Sequence, residues 1–118
     1  MDDQVVRVRA GLRRAFTALR AQGYTAEANF GDCPTCAVAA LAERGLDTAS
    51  SDSRYVFYTA AGHAQLAREG SVSLHWGGDA VVITGELIAA GLNIDWGGTT
   101  LDLIMVKGII EGGHHVAT

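Results

Sequence analysis

Val5, Val8, Leu12, Phe16 and Leu19 recur at steps of three and four residues, the spacing that places side chains along one stripe of a 3.6-residue helix. The pattern predicts a helix from about Asp3 to Gln22. Asp2 or Asp3 can cap its start, and Gly23 suits the left-handed position just past its end. A helix with one apolar stripe needs an apolar partner, so the rest of the chain has to supply a surface that covers it. The outer side carries Arg7, Arg9, Arg13, Arg14 and Arg20, five of the nine basic residues. Those arginines read either as a surface for an acidic or phosphate-bearing partner or as a solvated face, and the solvated face is the simpler account.

The partner surface is a sheet. Tyr24 to Ala28 is short and weakly alternating, and Arg54 to Thr59 (R-Y-V-F-Y-T) is aromatic and β-branched on both faces, which places it centrally in the sheet. Val72, Leu74 and Trp76 alternate with Ser71, Ser73 and His75, a strand with one buried face. Leu92, Ile94 and Trp96 alternate into Gly97-Gly98, and Leu101 to Val106 returns as the other arm of a hairpin. Between these lie a helix from Pro34 to Gly45, a loop from Leu46 to Ser53 and a short helix over Ala61 to Arg68 that stops at Gly70. Ala80 to Ala90 is expected as a helix capped by Asp79, with a hairpin return over Ala80 to Thr84 as the competing reading. The expected fold is a single α+β domain over residues 1–107, its N-terminal helix and two or three further helices packed on one face of a four- or five-stranded mixed sheet. Residues 108–118 are expected to be a mobile tail, with Ile109 and Ile110 as possible packing exceptions.

Composition narrows the function classes. At 118 residues a single core buries roughly two thirds of the unfolded surface without disulfide or metal staples. Hydrophobic residues make up 48% and charged residues 19%, which leaves apolar surface to spare and points to protein contact or self-association, a homodimer included. A net charge of −4 and a pI near 5.4 argue against nucleic acid as a partner, since that affinity comes from clustered cations meeting phosphates. Neither a signal-peptide pattern nor a run of about eighteen apolar residues is present, so no membrane role is expected and the expected compartment is the cytoplasm.

The candidate chemistry sits at N-F-G-D-C-P-T-C, Asn29 to Cys36. In a reducing compartment the pair Cys33 and Cys36 has three meanings: a reactive dithiol, half of a zinc site, or small semi-buried residues opening a helix. With Cys33 as N-cap and Pro34 at the first helical position, the helix N-terminus lowers the Cys33 pKa while neighbouring Asp32 raises it. The strand, C-P-x-C, helix order resembles the active-site corner of the thioredoxin and glutaredoxin group over about a dozen residues. That group also presents a cis-proline across from the cysteines, whereas Pro34 is the only proline here. Zinc needs two further ligands, and His63, His75, His114 and His115 lack finger spacing; His63 is expected exposed on a helix and His75 on a strand face. No cofactor is expected, and neither a nucleophile elbow nor a phosphate loop can be named. Leu74 to Gly78 and Ile94 to Gly98, L-x-W-G-G and I-x-W-G-G, form a small internal echo, read as a duplicated binding loop or, more simply, as two strand ends with similar turns.

Ala18 to Phe30, the cysteine pair, R-Y-V-F-Y at Arg54 to Tyr58 and G-L-N-I-D-W-G-G at Gly91 to Gly98 together resemble an uncharacterised family of small bacterial domains. Members carry an N-F-x-C-C-x-x-C-G-like segment, then G-Y-V-F-F/Y-H-Q-Q-D and later G-L-x-V-x-W-D-G. The resemblance spans about Leu12 to Val106 and implies a shared fold, with no reaction, cofactor or ligand attached. This chain departs from it at Thr59, Ala60, Ala61 and Gly62 in place of the polar H-Q-Q-D, at Ala37 in place of a glycine and at Gly97 in place of the aspartate. The leading expectation is a non-enzymatic domain working by protein contact. Thiol–disulfide chemistry with Cys33 as nucleophile and Cys36 as resolver is the alternative, and zinc binding the second.

Overall fold

A computed structural model describes residues 3–48, 50, 52–99 and 102–110. Nine elements follow in order: α1 (Asp3–Ala21), β1 (Thr25–Glu27), α2 (Pro34–Glu43), β2 (Tyr55–Phe57), α3 (Ala60–Glu69), β3 (Val72–Gly77), α4 (Ala80–Ala89), β4 (Leu92–Asp95) and β5 (Ile104–Ile109). The five strands form one mixed sheet in the order β1-β2-β3-β5-β4. β1 and β2 are parallel, joined by the crossover through α2, and every other pairing is antiparallel. The α+β architecture with an N-terminal helix and a C-terminal hairpin is therefore the observed one.

The stripe of α1 is buried as its spacing requires, and Val8 and Leu19 are fully inaccessible. It meets Ala26, Val56, Leu74, Trp76, Leu92, Ile104 and Val106 from the sheet, Leu66 from α3, and Ile83 and Leu87 from α4. Neighbouring strand residues point to opposite faces, so Tyr55 and Phe57 look away from this core. They pack instead with Ala37 and Leu41 of α2. The expectation of helices on one face thus needs correction: α1, α3 and α4 share a face, and α2 covers the β1–β2 end of the other, where the Arg44 and Glu27 side chains pair at 2.8 Å. R-Y-V-F-Y-T has both faces apolar because both are covered.

Residues 80–84 are helical. Asp79 accepts the Val81 N–H at 2.9 Å as N-cap, and β3 already has β2 and β5 as its neighbours, which leaves no ladder for a hairpin return. Leu101, the expected start of the last strand, lies outside the described residues; the strand is described from Ile104, and a turn precedes it. There the Asp102 carboxylate holds the Thr99 N–H and hydroxyl at 3.2 and 2.9 Å. β5 then runs through Lys107 and Gly108 to Ile109, which pairs with Leu92 and packs on the core. Of the expected tail, residues 111–118, including His114 and His115, lie outside the described residues.

Candidate functional site

β1 ends at Glu27 and the chain turns through Asn29 (φ 53°) and Gly31 (φ 75°) before α2 begins. Gly31 has no alternative: its left-handed φ is joined by the Ala37 backbone nitrogen, which a Cβ at Gly31 would meet at 3.0 Å. Two backbone hydrogen bonds fix this turn to the start of α3, Phe30 N–H to the Tyr58 carbonyl at 2.8 Å and Ala60 N–H to the Gly31 carbonyl at 2.9 Å. The cysteine turn and the first turn of α3 therefore lie together beyond the carboxyl ends of the parallel strands. Thr59 caps α3 there, followed by Ala60, Ala61 and Gly62. A Cβ at Gly62 would come within 3.1 Å of Val72, so the polar residues of the resembled pattern are replaced by packing.

Cys33 is the N-cap of α2, with Pro34 in the first turn. Its Sγ accepts the Cys36 N–H at 3.2 Å, and both thiols are free, Cys33 half-exposed and Cys36 exposed. The competition between helix start and Asp32 is thereby decided. Hydrogen bonds from the Cys36 side chain, then from its backbone N–H, hold the Cys33 pKa below the ordinary thiol value; burial and Asp32 push the other way and lose. Cys36 is raised, first by its side-chain bond to Cys33 and next by burial. Cys33 is thus the more acidic thiol of the pair. The likeness to the thioredoxin corner ends at the turn: no cis peptide bond occurs among the described residues, and the strand that leads into the cysteines, β1, lies at the edge of the sheet with β2 as its neighbour. Among the described residues no three His, Cys, Asp or Glu side chains converge as metal ligands.

The W-G-G echo brings its two tryptophans together. Trp76 and Trp96 meet edge to face with centroids 5.8 Å apart and line a cavity of about 640 Å³ with Arg54 and Asp79. Both indole N–H groups are already donated, Trp76 to the Asp102 carbonyl at 2.8 Å and Trp96 to that of Thr99 at 3.0 Å. Gly78 answers to a close approach: a Cβ there (φ 112°) would meet the Tyr24 hydroxyl at 2.9 Å, the same hydroxyl that accepts the Asp79 N–H. Similar turn chemistry, closing two strand ends against each other, accounts for the repeat.

α4 presents a different kind of surface. Only Ile83 and Leu87 are buried, while Val81 is 76% and Ile88 51% exposed on a face shared with Gly85 and Ala89. Glu86, the one charged residue of the helix, is held by Gln22 at 2.8 Å. A helix apolar all round is ordinarily enclosed all round, and this one is covered on one side. Hydrophobic periodicity marked only its inward residues, because Val81 and Ile88 fall off the 83–87 line; the missed signal was the scarcity of charge on the remainder.

Two expectations for polar residues need correction. His75, expected exposed, stacks on Phe57 at 5.0 Å between ring centroids, because the β2–β3 register sets the two residues opposite each other; burial lowers its pKa. His63 is half-buried and lies parallel to Tyr58, 6.4 Å between centroids. The arginines of α1 are not simply solvated either: Arg14 donates to the Ala90 carbonyl at 2.8 Å, and Arg20 donates twice to the Ala26 carbonyl at 3.0 and 2.7 Å. None of the described helices is long and apolar enough to cross a membrane.

The family model described as a domain of unknown function (DUF6891) matches residues 10–110. No curated protein and no solved structure matches the chain.

Proposed function

The chain belongs to the DUF6891 family, and from that premise we propose a non-enzymatic cytoplasmic domain that works by protein contact, its first partner a second copy of itself. The observation that carries this reading is the outward face of α4, where Val81, Gly85, Ile88 and Ala89 stand exposed with no charge among them. Two such faces are self-complementary about a two-fold axis through Gly85, whose missing side chain lets two helix backbones approach closely; a Cβ there meets nothing within 4 Å among the described residues of its own chain. Symmetric pairing of one patch with itself is the commonest route to a homo-oligomer. Multi-angle light scattering tests it. The wild-type chain is expected at twice its 12.3 kDa, and Ile88→Glu at the monomer mass with its melting unchanged. A wild-type monomer at every concentration contradicts the proposal.

A second reading rests on the Cys33 sulfur at its helix cap. The Cys33 thiolate would attack a partner disulfide and expel one thiolate. Cys36, losing its proton, would then displace the second, leaving the partner reduced and Cys33 bridged to Cys36. Competitive alkylation followed by mass spectrometry tests it: Cys33 is expected to react with a midpoint below the free-thiol value of about 8.5 and well ahead of Cys36. Equal rates for the two sulfurs would remove its basis.

A further inference from the structure

Arg9, Arg13, Phe16 and Arg20 follow one another at steps of four, three and four, so they share one face of α1. With Tyr58 and His63 they line a cavity of about 300 Å³, at the lower end of the sizes that hold small molecules. Its floor is reached by Ala28 and Tyr58, the residues just past β1 and β2. In α/β sheets the crevice beyond the carboxyl ends of parallel strands is where ligands bind. Among the described residues no carboxylate lines the cavity. The ion pairs Arg44–Glu27, Arg68–Glu69 and Lys107–Asp95 leave all three arginines out. A chain of net charge −4 therefore concentrates three guanidinium groups around one hollow without a counter-charge from its own described residues.

The hydrogen bonding is one-sided as well. Arg9 Nη2 lies 3.5 Å from His63 Nε2; a guanidinium can only donate, so Nε2 accepts and the imidazole proton sits on Nδ1. Arg9 Nε and His63 Nδ1 are both buried without a partner among the described residues. Both are then orphaned donors, and buried donors are almost always satisfied. Arg20 is fixed in place by its two bonds to the Ala26 carbonyl. Tyr58, 4% exposed, and Phe16 supply aromatic walls beside the charge.

We infer that this cavity is a binding site for a small organic oxyanion, a carboxylate or phosphate ester carried on a single flat ring. The anionic group accepts from Arg9, Arg13 and His63 Nδ1, and the ring packs against Phe16 and Tyr58. Charge-assisted hydrogen bonds of this kind are the strong ones, and the aromatic wall distinguishes an aryl ester from the bare anion.

Isothermal titration calorimetry of the full chain with phenyl phosphate, inorganic phosphate and benzyl alcohol tests the site. Phenyl phosphate is expected to bind with one site per chain, inorganic phosphate at least about tenfold more weakly and benzyl alcohol not at all. Arg13→Gln is expected to weaken phenyl phosphate by about tenfold or more, and Arg7→Gln, on the exposed side of α1, to leave it unchanged. Absence of phenyl phosphate binding at millimolar concentration, equal affinity for inorganic phosphate, or equal loss in both variants would overturn the proposal. Nuclear magnetic resonance of the unaltered protein gives a check that does not depend on a variant folding. Phenyl phosphate should shift the His63 ring and Arg9 Nε–H signals, and shifts confined to other residues would count against the site.

Discussion

α1 and α4 lie side by side on the same face of the sheet, yet their outer sides are opposites. α1 buries a full stripe of seven residues, from Val5 to Leu19, and turns arginines outward. α4 buries Ile83 and Leu87 and turns Val81 and Ile88 outward. Even the arginines of α1 serve its neighbours: Arg14 reaches the carbonyl of Ala90, the C-cap of α4, where a cation also meets the negative end of the helix dipole. The difference separates two jobs. α1 anchors the core and gathers charge around a hollow, whereas α4 is held lightly from inside and keeps its apolar side for something else.

The largest effect should come from core truncation, and it should fall unequally. Phe16→Ala is expected to cost about 3–5 kcal/mol and Leu87→Ala about 2–3 kcal/mol in urea unfolding, because α4 docks through fewer buried side chains. Equal losses would mean that α4 is bound into the core as firmly as α1. Next comes the junction of the two helices. Gly11 lies where a Cβ would meet a Leu92 methyl at 2.8 Å and the Ala90 carbonyl at 3.3 Å, so Gly11→Val is expected to cost about 1–3 kcal/mol by overpacking. A smaller change, about 1 kcal/mol, is expected from Arg14→Gln, which removes a charged donor from the end of α4.

The stripe of α1, the strand alternations and the Asp79 cap were legible in the sequence because each is a local rule, in which spacing or a single side chain decides the element. What stayed hidden depends on who lies opposite whom. Nothing local says that α2 covers the face of the sheet opposite to α1. That follows from the parallel pairing of Thr25 with Tyr55, which sends the chain across through α2. His75 looked exposed because alternation assigned it to the outer face, and only the register with Phe57 shows that face to be occupied. The cysteine pair was visible, but not the outcome of the contest over the Cys33 pKa, which depended on hydrogen bonds from the Cys36 side chain and then from its backbone N–H. Arg9, Arg13 and Arg20 read as a solvated face because Tyr58 and His63, which close the hollow, are distant in the sequence.

The outer face of the sheet offers the smallest effect. Burial holds His75 below its ordinary value of 6.5, so below that pH the unfolded chain binds a proton that the folded chain resists. Stability is therefore expected to be full above about pH 6.5 and to decline as the pH falls through the lowered folded value. His75→Phe keeps the stack on Phe57 and should flatten that part of the pH profile; an unchanged decline would assign it to other groups.

The contrast between the two helices rests on what covers α4, and a cross-link reads it most directly. In a Cys33→Ser, Cys36→Ser background, Gly85→Cys places one thiol at the centre of the proposed two-fold contact, in space that its own chain leaves open. Mild oxidation of the folded protein at low concentration is expected to give a covalent dimer within minutes, while Arg7→Cys in the same background stays monomeric. A Gly85→Cys chain that forms no dimer, or one no faster than Arg7→Cys, would contradict the account.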